Sequence, residues 1–353
     1  MPDPPATPYL QVDLGRLRRN VRRTAEWAAT NRIALRPHVK THKSLQIARL
    51  QLASGAHGIT VATIGEAELF ARHGCTDVFI AYPLWVDDRD AVRLKDLARG
   101  ATVAIGVDSV AGAAAAGRLL GGSGIEVLVE IDSGHHRSGA YPAEAGAVAL
   151  AAQRSGMPVR GVFTFPGHSY APGAGASSAA DEAVALAAAR DALTAVGISV
   201  RVVSGGSTPS LLASDTEVLT ELRPGVYVFG DAQQWELGAM GPDDIALTCR
   251  ATVVSHAAGR MVLDCGSKIL GADRAPYATG FGRILDDPDA RIVLLSEHHA
   301  AVELTRTHLP PLGSRVDVVP NHVCNAVNLV DELWVQEAGS LRSWRVSARG
   351  LNA

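Results

Sequence analysis

The sequence lacks the features of secreted and membrane-spanning proteins. Its 353 residues contain only 4 Cys, at positions 75, 249, 265 and 324, and no two of them form a Cys-x-x-Cys pair. Isolated thiols in a chain of this size are typical of a reducing compartment, so we expect a cytoplasmic protein. The start, MPDPPATPYLQVDL, has no basic segment followed by an apolar stretch, and no apolar run approaches the ~18 residues of a membrane helix. We therefore expect neither a signal peptide nor a membrane partner.

An excess of charge of one sign is also missing. The chain has 33 Lys+Arg against 36 Asp+Glu, a formal net charge of −3, and its cations are scattered. This distribution argues against nucleic acid as a partner. Aromatic residues make up only 5% of the chain against 47% hydrophobic residues in all, so a core must be built mainly from small aliphatic side chains. Such a composition is that of a globular protein with a sizeable core.

From residue 10 to residue 235, short β-branched runs alternate with stretches rich in Ala, Leu and Arg. This alternation is typical of repeated βα units and predicts an α/β fold with a parallel sheet. Eight candidate strands can be placed, at 35–37, 58–61, 78–81, 101–107, 126–131, 159–164, 202–204 and 226–229. Eight units predict a (β/α)8 barrel of the TIM type, whose chemistry lies at the carboxyl ends of the strands.

The pattern changes in the last third of the chain. Helical stretches give way to alternating, β-rich segments such as IALTCRATVVSHA and ARIVLLSEHHAAVEL, separated by turn sequences. This pattern predicts an antiparallel β domain without helices. We expect two domains, a barrel over residues 10–235 and a β domain over residues 236–353, against which residues 1–9 can pack.

Polar side chains follow the first predicted barrel strand, in the segment LRPHVKTHK. A lysine such as Lys40, partly desolvated and near other cations, would have a lowered pKa and could form a Schiff base with an aldehyde cofactor. The same residues, taken alone, fit a solvated basic loop equally well. The polar residues of this segment are Arg36, His38, Lys40, His42 and Lys43.

Similar polar clusters follow later barrel strands, in VLVEIDSGHHRSG, GVFTFPGHSY and VVSGGSTPS. The last of these has amides and hydroxyls that could bind a phosphate, in the region where such barrels usually do so. Each cluster alone fits a structural histidine or an ordinary turn, but their repetition favours one shared site. The candidate residues are Asp132, Ser133, His135, His136, Arg137, His168, Ser169, Tyr170, Gly205, Gly206, Ser207 and Thr208, with Gly225 one strand later.

A further candidate pair, His322 and Cys324, lies in VDVVPNHVCNAVNL near the end of the chain. In an extended segment, residues i and i+2 project to the same side, so an imidazole and a thiolate could bind one metal ion. Nitrogen and sulfur ligands suit zinc, and two protein ligands would leave positions open for water or substrate. By itself, the motif fits a buried thiol beside an unrelated histidine at least as well.

Taken together, RPHVKTHK, VEIDSGHHRSG, GHSY, SGGSTP, ELRPGVYVFGD and PNHVCNAVNL resemble the alanine racemase-type, or fold type III, pyridoxal phosphate enzymes. The closer match is to their D-serine dehydratase and D-threonine aldolase branch, and it runs from about Pro8 to the C-terminus. The resemblance implies a (β/α)8 barrel followed by a β domain, and a homodimer. The implied cofactors are pyridoxal 5'-phosphate and a divalent metal, zinc first, with manganese, cobalt or magnesium as alternatives.

The resemblance also implies roles for individual residues. Lys40 would be the catalytic lysine, bound covalently to the cofactor and acting as the base at Cα, with Lys268 as a less suitable competitor. Arg137 would approach the 3-hydroxyl side of the cofactor and His168 would pack against its ring. His322 and Cys324 match the metal ligands. The remaining residues expected at the cofactor are His38, Tyr170, Gly206, Ser207, Thr208, Gly225 and Tyr227, of which Ser207, Thr208, Gly225 and Tyr227 would hold the phosphate.

Two parts of the sequence leave the match incomplete. Arg223 stands where alanine racemases set an arginine against the pyridine nitrogen, a contact that this branch need not share. In SEHHAAVEL, His298 and Ala300 replace the glutamate and glycine usual in the branch, so no role follows for His299.

A metal beside a pyridoxal phosphate site suits D-amino acids with a hydroxyl on Cβ. β-Elimination would give a 2-oxo acid and ammonia, and retro-aldol cleavage would give glycine and an aldehyde. Aldolases of this branch tend to have His-Cys-Asp and dehydratases His-x-Cys, so His-Val-Cys favours a D-serine or D-threonine dehydratase, with D-threonine aldolase as the alternative.

Three other readings account for fewer of these residues. An amino acid racemase needs a second base, for which Tyr277 fits poorly. A non-catalytic pyridoxal phosphate carrier would be a barrel alone. A metal-binding module without the cofactor leaves Lys40 unexplained.

Overall fold

The computed structural model describes residues 5–305 and 308–353. The chain divides into two compact units, each with its own sheet. The barrel unit comprises Ala25–Lys40, Gln51–Gly225 and Leu351–Ala353, and the β unit comprises the described residues up to Thr24, with Thr41–Leu50 and Val226–Gly350. Within the described ranges, no helix is both long enough and apolar enough to cross a membrane.

Strands and helices alternate in the first part of the chain, and the last part consists mostly of strands. The strands are β1 (Tyr9–Asp13), β2 (Ala34–Leu35), β3 (Ile59–Val61), β4 (Asp77–Pro83), β5 (Thr102–Val107), β6 (Glu126–Glu130), β7 (Val159–Phe163), β8 (Val202–Gly205), β9 (Glu221–Leu222), β10 (Leu247–Ser255), β11 (Met261–Leu263), β12 (Gly282–Ile284), β13 (Asp287–Leu295), β14 (Ala300–Glu303), β15 (Arg315–Pro320), β16 (Glu332–Glu337) and β17 (Ser340–Arg345). The helices are α1 (Leu14–Thr30), α2 (Leu45–Ala53), α3 (Ile64–Arg72), α4 (Asp88–Ala98), α5 (Val110–Leu120), α6 (Ala145–Arg154), α7 (Gly175–Ala195), α8 (Ala232–Glu236), α9 (Ser267–Leu270) and α10 (Val323–Asn328).

The barrel unit is built on a parallel sheet of eight strands in the order β2-β9-β8-β7-β6-β5-β4-β3. The two ends of this sheet meet just beyond β2, where the amide of Thr60 donates to the carbonyl of Pro37 at 2.8 Å and His38 bridges Thr60 in parallel register. This contact closes the sheet. The predicted α/β fold with a (β/α)8 barrel of the TIM type is confirmed.

The eighth barrel strand lies earlier in the chain than predicted. The prediction of a strand at 226–229 is wrong, because Val226–Val228 forms a 3-10 helix and the strand that completes the barrel is the two-residue β9. The amides of Phe229 and Gly230 both donate to the carbonyl of Val226, at 3.0 and 2.9 Å, which winds this apolar stretch into a turn. Residues that favour strands at 226–229 were therefore misleading. The strand that completes the barrel, β9, contains a buried glutamate.

That glutamate, Glu221, belongs to an ion-pair cluster inside the barrel. The fully buried Arg36 donates from Nε to Glu221 at 2.7 Å and from both terminal nitrogens to the Asp77 carboxylate, at 2.8 and 2.9 Å. A Cβ on Gly58 would lie 2.4 Å from Arg36 Nη1, so only glycine leaves room for this guanidinium. Because the bonds join the end of β2 to β4 and β9, the cluster fixes the segment that leads to Lys40.

The β unit has a nine-stranded sheet in the order β11-β14-β13-β12-β15-β10-β1-β16-β17. An additional pairing of β10 with β11 closes six of these strands into a ring, and every pair is antiparallel except β1 with β16. The predicted antiparallel β domain is confirmed. Its predicted lack of helices is wrong, since α9 and α10 lie within it, and α10 contains Cys324.

Candidate active site

Lys40 is presented by a short turn that follows the first barrel strand. After β2 the chain passes the closing contact at His38 and forms a 3-10 helix over Val39–Thr41, with Val39 fully buried and Lys40 exposed. The Lys40 amide donates to His38 Nδ1 at a long 3.5 Å. The buried neighbour anchors the turn and leaves the lysine side chain at a strand end, where the chemistry of such barrels lies.

The ring of Phe165, just past β7, gathers several of the predicted residues. Lys40 Nζ lies 5.9 Å from the ring centroid and the Arg137 guanidinium carbon lies 5.1 Å from it. The rings of Tyr170 and His135 approach the same ring, with centroid distances of 6.0 and 5.6 Å. Two cations on one aromatic ring are each attracted by its π-electrons, so Phe165 brings Lys40 and Arg137 together.

The loop that carries Arg137 is shaped by Asp132. Its carboxylate accepts hydrogen bonds from the amides of Gly134 and His136, at 2.9 and 3.0 Å, and lies 2.7 Å from His136 Nδ1. Burial opposes charge on Asp132, but these donors hold the pKa of its carboxyl below the usual value. His136 has φ 55, a left-handed conformation that turns the loop sharply before Arg137.

A buried carboxyl group, Glu130, lies beneath this loop at the end of β6. It accepts a hydrogen bond from Ser138 Oγ at 3.1 Å, and Arg137 Nη2 is 4.0 Å from its Oε1. Burial raises the pKa of Glu130 to about 6, against the opposing effects of Ser138 and Arg137. Its Oε2 is buried and has no hydrogen-bond partner among the described residues. A small cavity at this place is lined by Glu130, Ile131, Asp132, His135, Arg137, Ser138, Thr164 and Phe165.

His168 lies beside the loop that carries Arg137 rather than on the Phe165 ring. Its Nε2 is 3.3 Å from Asp181 Oδ2, and a Cβ on Gly134 would lie 3.3 Å from the same nitrogen. Its Nδ1 is buried and has no hydrogen-bond partner among the described residues. The imidazole is therefore held at one edge, with a polar atom left over at the other.

The predicted phosphate-binding turn after β8 is held together by serine hydroxyls. Ser207 Oγ lies 2.8 Å from Ser169 Oγ and 2.8 Å from Ser210 Oγ, and the Ser207 amide donates to Ser210 Oγ at 3.1 Å. Thr208, the next residue, is 9% exposed, and Gly225 is the last residue of this part of the barrel unit. The cluster joins the turn to the Ser169 segment beyond β7.

The same turn is anchored from within by Glu182, a fully buried residue of α7. Its Oε1 accepts a hydrogen bond from the Gly206 amide at 2.7 Å, so this amide donates inward to the carboxyl group. Gly206 has φ +81, and a Cβ on Gly205 would lie 2.2 Å from Glu182 Oε1, so both positions suit glycine. Burial raises the pKa of Glu182 to about 7, against the opposing effects of the Gly206 amide and Arg223.

Arg223 uses its guanidinium inside the barrel. Its Nη1 donates to Ser204 Oγ at 2.6 Å and its Nη2 donates to the Thr164 carbonyl, while the guanidinium carbon lies 5.2 Å from the Phe163 ring centroid. Ser204 in turn donates to Glu221, at 2.6 Å. These contacts give Arg223 a structural role that needs no cofactor.

The predicted metal pair and Tyr227 belong to the β unit. Tyr227 lies in the 3-10 helix Val226–Val228, only 4% exposed, and it forms part of the hydrophobic core of that unit. The extended conformation expected for His322 and Cys324 is found only for His322, the N-cap of α10, and is wrong for Cys324, which lies in the first turn of that helix. The cause is Asp231, which is fully buried and accepts from the Val323 amide at 3.1 Å and from the Gln234 amide at 2.8 Å.

His322 and Cys324 nevertheless contact each other through a side-chain hydrogen bond. Burial opposes charge on the imidazole, but Cys324 together with Asp231 and Asp273 raises the pKa of His322 to about 10. Asp273 Oδ2 lies 2.5 Å from His322 Nδ1, and the Cys324 thiol donates to Thr41 Oγ1 at 3.4 Å. No group of three or more His, Cys, Asp or Glu side chains that could hold a metal ion occurs in the described part of the chain.

Two family models account for most of the chain. The alanine racemase N-terminal domain matches residues 12–233, and a putative serine dehydratase domain matches residues 246–336. The chain belongs to the alanine racemase-type pyridoxal phosphate enzymes. The predicted resemblance to fold type III enzymes is thereby confirmed.

Individual relatives place this fold type III enzyme among lyases. The D-threo-3-hydroxyaspartate dehydratase of Delftia sp. (strain HT23) is 37% identical over 348 residues, which cover 90% of each chain. The D-threonine aldolase of Arthrobacter sp. is 32% identical over 362 residues, covering 98% of this chain and 93% of the aldolase. The solved structure of the Delftia dehydratase has a TM-score of 0.89 at 33% identity, covering 97% of both chains. A D-threo-3-hydroxyaspartate dehydratase has also been solved with alanine in place of a cysteine, in the metal-free form, and with alanine in place of a histidine two positions before that cysteine.

Among the residues that contact predicted ones, sequence reasoning missed Phe165, Glu182, Thr41 and Asp273. Phe165 could have been noticed as an aromatic residue at a strand end, next to a histidine motif. Glu182 lies on an Ala-rich helix, and nothing in the sequence shows that this side chain is buried. Thr41 and Asp273 have no distinguishing pattern, because their partners come from residues 283 and 49 positions away in the chain.

Proposed function

We propose that this chain is a pyridoxal phosphate- and metal-dependent dehydratase of D-3-hydroxy amino acids, the class of lyase that releases ammonia and a 2-oxo acid. The observation that carries the proposal is the contact between His322 and Cys324 at the start of α10. It puts an imidazole and a thiol together, in a chain 37% identical to a D-threo-3-hydroxyaspartate dehydratase.

The residues of the barrel unit fit pyridoxal phosphate. Lys40 supplies a primary amine beside an aromatic ring, and Arg137 adds a cation that suits an anionic ring substituent. Because the Gly206 amide is used by Glu182, the phosphate would be held chiefly by the hydroxyls of Ser207 and Thr208. The other residues that we assign to the cofactor are His38, His168, Tyr170, Gly206, Gly225 and Tyr227.

The residues of the β unit fit a divalent metal. With Asp273 on Nδ1, a metal would bind His322 at Nε2, and Cys324 offers a soft thiolate once its proton is lost. Such a nitrogen and sulfur pair favours zinc, and cobalt, manganese and magnesium are the alternatives in that order of ligand match. Two protein ligands leave the other positions open, as a catalytic metal requires.

Elimination from a 3-hydroxy amino acid needs a base for the Cα proton and an acid for the departing hydroxyl. When bound, the cofactor supplies an electron sink at Cα and the metal supplies a Lewis acid for the β-oxygen. Lys40 Nζ would take the Cα proton, and Arg137, oriented by Phe165 and Glu130, would hold the cofactor in place. A single base takes a proton from one face only, so one enantiomer reacts, and the family indicates the D-isomer.

One observation favours aldolase activity as the second candidate. The D-threonine aldolase of Arthrobacter sp. matches 98% of this chain at 32% identity. Both reactions begin with a D-3-hydroxy amino acid, so the difference lies in which bond breaks. The sequence His-Val-Cys favours the dehydratase.

The test is an assay of ammonia and aldehyde on D- and L-forms of 3-hydroxyaspartate, serine and threonine, with and without a chelator. We expect ammonia from the D-isomers only, loss of this activity on chelation, and its recovery with zinc, manganese or cobalt. Aldehyde release that exceeds ammonia release on every D-substrate would establish the aldolase instead. Equal rates on D- and L-serine, or full activity after thorough removal of metal, would contradict the mechanism.

We also propose that the enzyme is a cytoplasmic homodimer. The four cysteines are far apart in the sequence and form no Cys-x-x-Cys pair, which agrees with a reducing compartment. The dimer is proposed from the fold type III family, and sedimentation of the cofactor-loaded enzyme tests it. A monomer at micromolar concentration would contradict this part of the proposal.

A further inference from the structure

We infer that each of the two metal ligands has a positioning residue of its own, Asp273 for His322 and Thr41 for Cys324, and that these two residues set the strength of metal binding. The inference rests on the metal site of the proposed function and names the groups that determine its affinity. Neither Asp273 nor Thr41 is proposed as a metal ligand. Each acts through the side chain that it contacts.

Asp273 orients the imidazole of His322. With Oδ2 2.5 Å from Nδ1, the carboxylate accepts a hydrogen bond from Nδ1–H, so the nitrogen that would lose its proton and bind a metal is Nε2. A carboxylate in this position also makes the imidazole a stronger donor to a metal. Asn321, directly before His322, donates from Nδ2 to the carbonyls of Asp273 and Gly280, at 3.4 and 2.8 Å. The segment that carries the carboxylate is therefore fixed to the segment that carries the imidazole.

Thr41 plays the corresponding part for Cys324. It is 1% exposed, and its Oγ1 lies 3.4 Å from Cys324 Sγ. In the free thiol the sulfur donates, but a sulfur that has lost its proton can only accept, so the threonine hydroxyl then donates to it. Such a bond fixes the direction of the sulfur lone pairs and stabilises the thiolate form of Cys324, which is the form that binds a metal.

The position of Thr41 is determined by the next residues of its segment. Lys43, 6% exposed, donates from Nζ to Asn328 Oδ1 at 2.9 Å, and its carbonyl accepts from the Ala348 amide at 3.0 Å. Asn328 is the last residue of α10 and Cys324 lies in the first turn. The segment from Thr41 to Lys43 thus contacts α10 at both ends, which holds the hydroxyl against the sulfur.

The other buried carboxylate near this motif has a different task. Asp231 uses its two oxygens on the backbone amides of Gln234 and Val323, and so caps α8 and α10. It shapes the helix that carries Cys324, and its charge also acts on the His322 imidazole. Asp273 and Thr41 contact the ligand atoms Nδ1 of His322 and Sγ of Cys324 with their side chains.

The first test uses the cofactor-loaded enzyme, freed of metal and then titrated with cobalt(II). We expect Thr41→Val to weaken cobalt binding at least tenfold, about 1.4 kcal/mol, and to shift the sulfur-to-cobalt charge-transfer band. Thr41→Ser keeps the hydroxyl and should restore both. Wild-type affinity together with an unshifted band in Thr41→Val would overturn the role of Thr41.

The second test concerns Asp273. We expect Asp273→Ala to weaken cobalt and zinc binding by roughly 10- to 100-fold, the usual effect of removing such a partner. Asp273→Asn keeps an acceptor oxygen but no charge, and should fall between Ala and wild type. Unchanged affinity in both variants would overturn the role of Asp273.

Matched controls for the threonine and aspartate variants are available at another threonine and another aspartate of the β unit, which contact each other. Thr248 Oγ1 donates to Asp317 at 3.3 Å, between β10 and β15. Thr248→Val and Asp317→Asn make the same chemical changes there, and both should keep metal affinity within about twofold. Equal losses in the control and test variants would overturn the inference, since the effect would then be one of general stability.

Two further variants separate this inference from the proposed function. His322→Ala and Cys324→Ala should lose metal binding altogether. If they do so while the Thr41 and Asp273 variants bind normally, the metal site stands and only the positioning roles fail. If they bind cobalt as wild type does, the metal site itself is wrong, and the inference falls with it.

Discussion

The two candidate sites are built in opposite ways. In the barrel unit, Lys40, Arg137 and Phe165 come from distant parts of the sequence and meet because parallel strands end at the same edge. In the β unit, His322 and Cys324 are two positions apart, but their conformation is imposed by Asp231, from 92 residues earlier. The first kind of site can therefore be predicted from polar residues at strand ends, without knowledge of the contacts between them. The second kind is visible in the sequence as a motif, but the sequence does not show its geometry.

The largest effect that separates the sites should come from Lys40. We expect Lys40→Ala to lower turnover by roughly 10³-fold or more, because it removes both the covalent attachment of the cofactor and the base. Metal affinity should be unchanged, since the ligands lie in the β unit. Borohydride reduction and peptide mapping of the wild type check the attachment directly.

Lys268 provides the control for this substitution. Its Nζ pairs with Glu297 at 3.0 Å on an exposed part of the β unit. Lys268→Ala should keep the cofactor and nearly all activity. Reduced cofactor found on Lys268 or Lys43 would refute the assignment of Lys40.

The next largest effect should come from changing the metal ligand. We expect Cys324→Asp to reduce ammonia release from D-serine by at least tenfold, about 1.4 kcal/mol of transition-state stabilisation. A carboxylate is a harder ligand that favours manganese or magnesium, and such a metal would hold the β-oxygen without expelling it. Acetaldehyde release from D-threonine should therefore be kept or increased, whereas Cys324→Ala should lose both. Equal loss of both products in Cys324→Asp would show that the ligand does not select the reaction.

The fold was predictable wherever a strand had an apolar partner on each side. β4 to β8 lie within one or two residues of the predicted positions because their Val and Ile runs are buried in a parallel sheet. β9 was missed because Glu221 looks unsuited to a buried strand until its partner Arg36, 185 residues earlier, is known. The apolar run after it was taken for a strand instead, although its amides close a turn.

The candidate sites show the same limit. Polar residues at strand ends indicated Lys40 and Arg137, but Phe165 was overlooked, since an aromatic residue there reads as core. The i, i+2 rule for His322 and Cys324 assumed a strand, and the cap from Asp231 makes the segment helical. Patterns within a segment could thus be read, whereas contacts between distant segments could not.

A smaller effect is expected from Phe165, which tests whether its ring orders the barrel site. Phe165→Leu removes the contacts with Lys40 and Arg137, each worth roughly 0.5–1 kcal/mol at an exposed position. We expect the apoenzyme to bind pyridoxal phosphate about tenfold more weakly, as measured by fluorescence titration. Phe165→Tyr keeps the ring and should bind as wild type does. Metal affinity should be the same in all three proteins, and equal cofactor affinity in Leu and Phe would contradict the role of the ring.

The last prediction is a pH dependence of stability that arises from Glu182. Burial raises the pKa of this carboxyl to about 7 from an ordinary 4.5, so between these values the folded state holds a proton that the unfolded state has lost. Its contribution to the free energy of unfolding is therefore fully present below pH 4.5 and falls as the pH rises to 7. Glu182→Gln keeps the acceptor for the Gly206 amide without the titration, so we expect a shallower fall in stability over this range.

Glu297→Gln is the control, because its exposed carboxyl has a pKa lowered by Lys268 and does not titrate there. Urea unfolding at several pH values between 5 and 8 measures the slopes, and identical slopes in wild type and Glu182→Gln would show that this group is charged in the folded protein.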